Sequence, residues 1–377
     1  MVLKMINNFI SKDPLTELNK FLKNFKAEET YILTGYNSYY LSGAKKIFDK
    51  IYQDKNVRFY FKKSSFPEIS EFKKIFYEIR KLKPKLIIAI GGGSVIDYAK
   101  ILRCTENLQN LEKKIINSDF TIKKTGIKLL TIPTTAGSGA EVTSNAVIYI
   151  KKNKYSVEHD LIKPDYYFLI PEFVKMANKK IKASSGFDAI AQSLESIISK
   201  KSTNQSLIYA EKSLKLSLKN YTGFLNNPSK LNLYNMTLAA NLSGKAINIS
   251  KTTAPHALSY PFTSIFNISH GHAVSLTLEN FFNFNYKNIK KNSAQFNLND
   301  RFKKIFKLTK VKNIYEFTKY IKNLKKSANL ISDYNKLGIN LEKSHNKIIS
   351  LVNEQRLSNN PVNINKSDLK QILLNKF

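Results

Sequence analysis

The chain has a single cysteine, Cys104, in 377 residues. One thiol excludes an internal disulfide and any zinc cage built from cysteines, and it suits a reducing compartment, so a cytoplasmic protein is expected. No run of about 18 apolar residues occurs, so no membrane partner is expected either. The opening "MVLKMINNFISKDPL" has no apolar core followed by a small-residue cleavage site, and it reads as mature sequence. Acidic residues are scarce: 28 stand against 61 Lys and Arg, for a net charge of +33. That excess is almost all lysine, since arginine occurs only at Arg58, Arg80, Arg103, Arg301 and Arg356. Arginine is the usual residue for bidentate contacts to phosphates and base edges, and the lysines form no stripe or arm. No nucleic-acid partner is expected; a positive field that draws in small anions is. There is no internal repeat.

Hydrophobic residues make up 42% and are spread along the whole chain, enough to bury real cores. The length is too great for one core and points to two domains. Over the first 180 residues strands and helices alternate. "TYILTG" (30–35), "VRFYF" (57–61), "KLIIAI" (85–90) and "IKLLTIPTT" (127–135) are strand-like. "YLSGAKKIFDKIYQ" and "PEISEFKKIFYEIRKL" have helical spacing. Such alternation implies a parallel, doubly wound sheet in an α/β domain. Beyond residue 180 the β-rich runs give way to helical spacing in 185–199, 206–221 and 233–250, with short helices expected in the Lys- and Asn-rich tail. The expected division is 1–178 for a nucleotide-binding α/β domain and 179–377 for an all-helical domain.

The chemistry gathers in a few stretches. "KLIIAI" runs straight into "GGGSVIDYAKIL", where Gly91, Gly92 and Gly93 let backbone approach a ligand and Ser94 can cap a helix whose N-terminus favours phosphate. The third glycine of a full dinucleotide fingerprint is missing, Ile96 standing in its place. A second small-residue loop, "TTAGSGAEVT", also follows a strand, and two such loops on adjacent parallel strands make a pyrophosphate cradle. In "GFDAIAQSLES", Asp188 and Gln192 share a helix face. "HALSYPFTSIFNISHGH" holds three of the five histidines. A carboxylate with His256 and His270 makes a donor set suited to Zn2+ or Fe2+, although the spacing is no generic zinc signature.

These motifs, in this order and spacing, resemble the iron-containing (group III) alcohol dehydrogenases over roughly residues 30–290. The resemblance implies the dehydroquinate synthase-like fold of that family, with the active site in the cleft between its domains. It implies a divalent metal held by Asp188, Gln192, His256 and His270, and NADP or NAD held through Gly35, Gly91, Gly92, Gly93, Ser94, Asp97, Thr134, Thr135 and Ser138. Two positions depart from the pattern: Gln192 replaces a ligand histidine, and Tyr260 replaces another histidine four residues after the third ligand. A neutral amide oxygen is a weaker ligand and should lower the affinity or shift the metal preference. The segment "GKAINISKTTAPHALSYPFTS", with Gln192 and "HGHAVSLTLENF", resembles the phosphonoacetaldehyde reductase branch. Its reaction would take phosphonoacetaldehyde to 2-hydroxyethylphosphonate, with Lys245 and Lys251 as candidate phosphonate contacts. The implied chemistry is polarisation of the aldehyde by the metal, hydride delivery from the nicotinamide, and a proton from Tyr260 or His272. At Gly35 the family often has an acid that binds the ribose hydroxyls, so its absence admits NADP. A homo-oligomer, a dimer at its simplest, is the expected assembly. An alcohol or polyol dehydrogenase of the same scaffold, an anionic-surface binder driven by net charge, and a metal-free homologue are the rival readings.

Overall fold

The computed structural model describes residues 13–53, 55–151 and 153–374. The start of the chain read above as mature sequence lies almost entirely outside them. The chain forms two compact units: one runs to Thr135 and resumes over Gly139–Ala177, and the other comprises Ala136–Ser138 and Asn178–Phe377.

The first unit contains, in chain order, α1 (Pro14–Leu22), β1 (Thr30–Gly35), α2 (Tyr36–Tyr40), α3 (Ala44–Ile51), β2 (Arg58–Lys62), α4 (Ile69–Leu82) and β3 (Leu86–Gly91). It continues with α5 (Gly93–Cys104), α6 (Leu111–Ile116), β4 (Lys128–Pro133), β5 (Asn145–Ile150), β6 (Asn153–Glu158) and β7 (Tyr166–Tyr167). Five strands make one sheet in the order β2-β1-β3-β4-β7, every pair parallel. Side chains alternate across a strand, and here both sides are buried. Ile87 and Ala89 join Tyr31, Leu33 and Leu129 in a core covered by Phe72 and Ile75 of α4 and Tyr98 of α5. Ile88 and Ile90 join Ile32, Leu130 and Ile132 in a second core under Leu18 and Leu22 of α1 and Phe48 of α3. This is the doubly wound arrangement that the alternating sequence implies.

One element departs from the sequence reading. Strands β5 and β6 form a separate antiparallel hairpin, in register from Asn145–Glu158 to Ile150–Asn153. Its turn starts at Lys151 with φ +49° and carries no Gly, so the usual hairpin signal is missing.

The second unit contains α7 (Lys179–Ile198), α8 (Asn204–Asn226), α9 (Lys230–Ser250), α10 (Ala254–Phe266), α11 (His270–Ser275) and α12 (Leu278–Lys287). It ends with α13 (Leu298–Thr309), α14 (Ile314–Ser327), α15 (Leu341–Ser350), α16 (Glu354–Leu357) and α17 (Lys366–Leu373). The three long helices are each started by a side-chain cap: Asn178 accepts from Ile181 N–H, Thr203 from Ser206 N–H and Ser229 from Asn232 N–H. Among them α7 is the buried core helix; every residue from Gly186 to Ile198 is buried. Helix α11 packs on α7 at very close range: a Cβ on Gly271 would stand 1.9 Å from the Ser184 carbonyl oxygen and 2.9 Å from Asp188 Cβ. Only glycine permits that approach. Pro261 within α10 removes the N–H that would bond Ala257, whose carbonyl accepts a long 3.4 Å bond from Asn353 N–H instead. Among the described residues no helix is long and apolar enough to cross a membrane.

Candidate functional site

Asp188, Gln192 and Glu195 occupy positions i, i+4 and i+7 of α7, so they line one face of the helix. All three are buried, at 4%, 3% and 0% exposure. Charged groups survive burial only when paired and hydrogen-bonded, and partners arrive from two other helices. From α10, His256 sets Nε2 at 3.2 Å from Asp188 Oδ1 and turns Nδ1 against the Glu195 carboxylate. From α11, His270 brings Nε2 to 4.0 Å from the same Asp188 oxygen. One donor atom from each of Asp188, His256 and His270 lies within 4.8 Å of the others. A carboxylate oxygen and two imidazole nitrogens at that separation suit a single divalent cation such as Zn2+ or Fe2+. The cluster is sealed on the His256 side and open at His270, whose side chain is 34% exposed.

Burial disfavours charge on both members of the central pair, and the partners reverse it. For His256 the Glu195 and Asp188 carboxylates outweigh burial and raise the pKa to about 10. For Asp188 burial pushes upward, but the His256 hydrogen bond and the His270 charge win, and its pKa lies below the ordinary carboxylate value.

Glu195 is the functional residue that the sequence reading passed over. Its Oε1 accepts from the Thr253 N–H and the Thr253 hydroxyl, both at 2.9 Å, while Oε2 holds His256. Thr253 is the residue before α10, so one carboxylate fixes both the start of that helix and the orientation of its imidazole. The usable signal was position: Glu195 falls seven residues after Asp188, on the same face.

Other expected site residues are placed as follows. Tyr260 stands one turn after His256 with its ring centroid 6.2 Å from that of His270. Gln192 reaches the cluster, but with its amide nitrogen: Nε2 is 3.1 Å from Asp188 Oδ2, and Oε1 accepts from Ser243 Oγ at 3.0 Å. As placed, it offers no oxygen to a cation. His272 is not brought to the cluster. Two residues past His270, it lies about 200° round α11, and its Nε2 donates to the Ile331 carbonyl at 2.7 Å. It lines a separate cavity of about 540 Å³ with Lys179, Lys180 and Lys336, and burial pushes its pKa down. Lys245 also faces elsewhere. It is two residues past Ser243, the contact of α9 with Gln192, so it is turned to the far side of the helix, with Nζ 6.0 Å above the Tyr209 ring. Lys251 ends α9 with φ +59° and bonds the Asn248 carbonyl at 3.1 Å, just before the link to α10.

In the first unit, β3 and β4 lie side by side in parallel, Gly91 opposite Pro133, and Thr134 N–H bonds the Gly91 carbonyl at 3.1 Å. The two small-residue loops are therefore neighbours, as adjacent strands require. A Cβ on Gly91 would meet Val95 Cγ2 at 2.6 Å, so the tight entry to α5 excludes any side chain there. The cap of α5 is Gly92, in extended conformation and without a side-chain bond; Ser94 lies inside the first turn and does not cap it. Gly92, Gly93 and Ser94 remain partly exposed, leaving that turn open to an anion. Asp97, one turn into α5, bonds Val147 N–H and faces Lys100, with burial raising its pKa to about 6. Ser138 belongs with the helical unit, where its carbonyl is 3.5 Å from Gln192 Nε2. Gly35 ends β1 and starts α2, with no acid beside it.

Residues 7–171 match the family described as iron-containing alcohol dehydrogenase, and residues 182–377 match the C-terminal part of the Fe-containing alcohol dehydrogenase family. A 4-hydroxybutyrate dehydrogenase of Clostridium kluyveri is 31% identical over 193 residues, 49% of this chain and 50% of its own length. A phosphonoacetaldehyde reductase of Streptomyces viridochromogenes is 27% identical over 203 residues, 52% of this chain and 51% of its own. The chain thus spans about half the length of the relatives it matches. The solved structure of a sulfoacetaldehyde reductase from Bifidobacterium kashiwanohense in complex with NAD+ superposes with a TM-score of 0.82. It has 23% identity and covers 97% of this chain and 95% of its own. An archaeal halo-thermophilic alcohol dehydrogenase from a Red Sea brine pool reaches a TM-score of 0.86 at 18% identity, over 100% of both chains.

Proposed function

Because the chain belongs to the iron-containing alcohol dehydrogenase family, we propose that it is an NAD(P)H-linked reductase of a small aldehyde with an anionic tail. Phosphonoacetaldehyde, reduced to 2-hydroxyethylphosphonate, is the substrate we favour. The observation that carries the reading is the buried convergence of Asp188, His256 and His270 from three helices within 4.8 Å. These three residues would hold a divalent cation, which supplies Lewis acidity toward a carbonyl oxygen. A bound reduced nicotinamide would supply the hydride for the carbonyl carbon, and a side chain of the protein the proton for the oxygen.

The residues of the chain then have separate tasks. The open first turn of α5 and the adjoining Thr134–Thr135 loop bind the cofactor's phosphates. Gly35, without an acid, leaves room for a 2′-phosphate. Tyr260, beside the exposed edge of His270, is the proton donor; His272 is committed to Ile331 and is set aside. An anionic tail fits two of the relatives and one structural neighbour, since 4-hydroxybutyrate, phosphonoacetaldehyde and sulfoacetaldehyde all carry a second, charged group. A long-chain-alcohol dehydrogenase and a 1-propanol dehydrogenase, also relatives, are named for uncharged alcohols. Lys251, at the link from α9 to α10, is the candidate for that group, since Lys245 lies over the Tyr209 ring. A cytoplasmic enzyme acting as a homodimer, without a nucleic-acid partner, completes the proposal. Another alcohol or polyol dehydrogenase on the same scaffold is the alternative.

The deciding assay follows NADPH and NADH oxidation with phosphonoacetaldehyde, sulfoacetaldehyde, 4-oxobutyrate and propionaldehyde, with and without added Fe2+ or Zn2+. Metal-stimulated turnover, highest with phosphonoacetaldehyde and with kcat reduced about 10²-fold or more in Tyr260→Phe, is expected. Equal rates with propionaldehyde would remove the anionic tail from the proposal, and full activity of Tyr260→Phe would remove the proton role.

A further inference from the structure

Gln192 occupies the place of a metal ligand, but its hydrogen bonds suit a different task. We infer that Gln192 is a positioning residue: its amide N–H ties down one oxygen of the Asp188 carboxylate so that the other alone faces the two imidazoles. This rests on the metal-site reading above. The orientation of the amide is set by two acceptors. Nε2 faces Asp188 Oδ2 at 3.1 Å and the Ser138 carbonyl at 3.5 Å, both of them acceptors, while Oε1 lies 3.0 Å from the Ser243 hydroxyl, whose one proton is shared with the Ala240 carbonyl at 2.8 Å. Turned the other way, the amide oxygen would confront two acceptor oxygens. Gln192, Asp188 and Ser243 are buried, where an amide dipole set against its neighbours is most costly.

With Oδ2 engaged, Asp188 presents only Oδ1, the oxygen 3.2 Å from His256 Nε2 and 4.0 Å from His270 Nε2. The pattern repeats one turn along α7, where Glu195 fixes His256. Helix α7 therefore supplies one ligand and two residues that aim ligands, and the protein contributes three donors. Three protein donors with an open position is the arrangement of catalytic rather than structural divalent sites. Residues that orient ligands in this way alter metal affinity without entering the coordination sphere.

The test uses the full-length chain exchanged into Co2+, whose visible absorption reports the number and kind of ligands. Wild type is compared with Gln192→Leu, which removes both the N–H donor and the oxygen, and with Ser243→Ala, which removes only the hydroxyl beside Oε1. The expected result is one Co2+ per chain in all three and a band of unchanged position and intensity. Kd should rise 10–100-fold in Gln192→Leu and by a smaller factor in Ser243→Ala. A shifted or weakened band in Gln192→Leu makes the residue a ligand and overturns the inference, as does an unchanged Kd. Should Gln192→Leu fail to fold, Gln192→Ala carries the comparison: a raised Kd under an unchanged band supports positioning, and an unchanged Kd overturns it. Failure of the wild type to bind Co2+ at all refutes the metal site itself, a result separate from either.

Discussion

His256 carries a carboxylate on each ring nitrogen, and the two have different tasks. Asp188 shares its oxygen with the edge of His270, whereas Glu195 is spent entirely on His256 and on the Thr253 groups at the start of α10. A carboxylate behind an imidazole fixes its orientation and raises its basicity as a ligand. In Glu195→Gln the shape stays and the charge goes. Metal affinity is expected to fall 10–100-fold and kcat with it, with secondary structure retained; metal content after dialysis and circular dichroism measure this. Full metal retention would confine Glu195 to holding the helix start. Asp188, His256 and His270 were legible because each sits in a recognisable stretch. Glu195 was not, because a charged residue in mid-helix ordinarily faces water, and its 0% exposure comes from packing that no local pattern encodes. The orientation of the Gln192 amide likewise depends on the Ser138 carbonyl, distant in sequence.

At the scale of elements, the site depends on how closely α11 approaches α7. The Ser184 carbonyl lies where a Cβ of residue 271 would stand, and Asp188 Cβ is only 2.9 Å from that point. The glycine in "HGH" is thus what lets His270 come within reach of Asp188. In Gly271→Ala the short helix must move outward. Overpacking of this kind costs roughly 1–3 kcal/mol, and His270 moves with the helix, so metal retention should fall more steeply than stability. Calorimetry beside metal analysis checks both; wild-type metal content in this variant would show that α11 is more accommodating than its packing implies. The strands of the parallel sheet were readable from their continuous apolar runs, which burial on both faces demands. The β5–β6 hairpin was not, since Lys151 takes a left-handed conformation without the glycine that usually marks such a turn.

Over the whole molecule, a charge of +33 spread across scattered lysines creates a diffuse positive field rather than a docking stripe. Such a field discriminates substrates by charge, not by shape, and its reach is set by salt. The screening length is about 30 Å at 0.01 M and about 8 Å at 0.15 M ionic strength. For an anionic aldehyde, kcat/KM should therefore fall severalfold between these conditions, through the encounter rate. Propionaldehyde, which carries no charge, should show almost no change. The cofactor is anionic too, so the comparison belongs at saturating NADPH, where only the aldehyde's encounter remains salt-sensitive. A parallel fall for both aldehydes would place the effect on the protein itself, and flat profiles for both would mean that the lysines act on surface solvation and not on the capture of substrate.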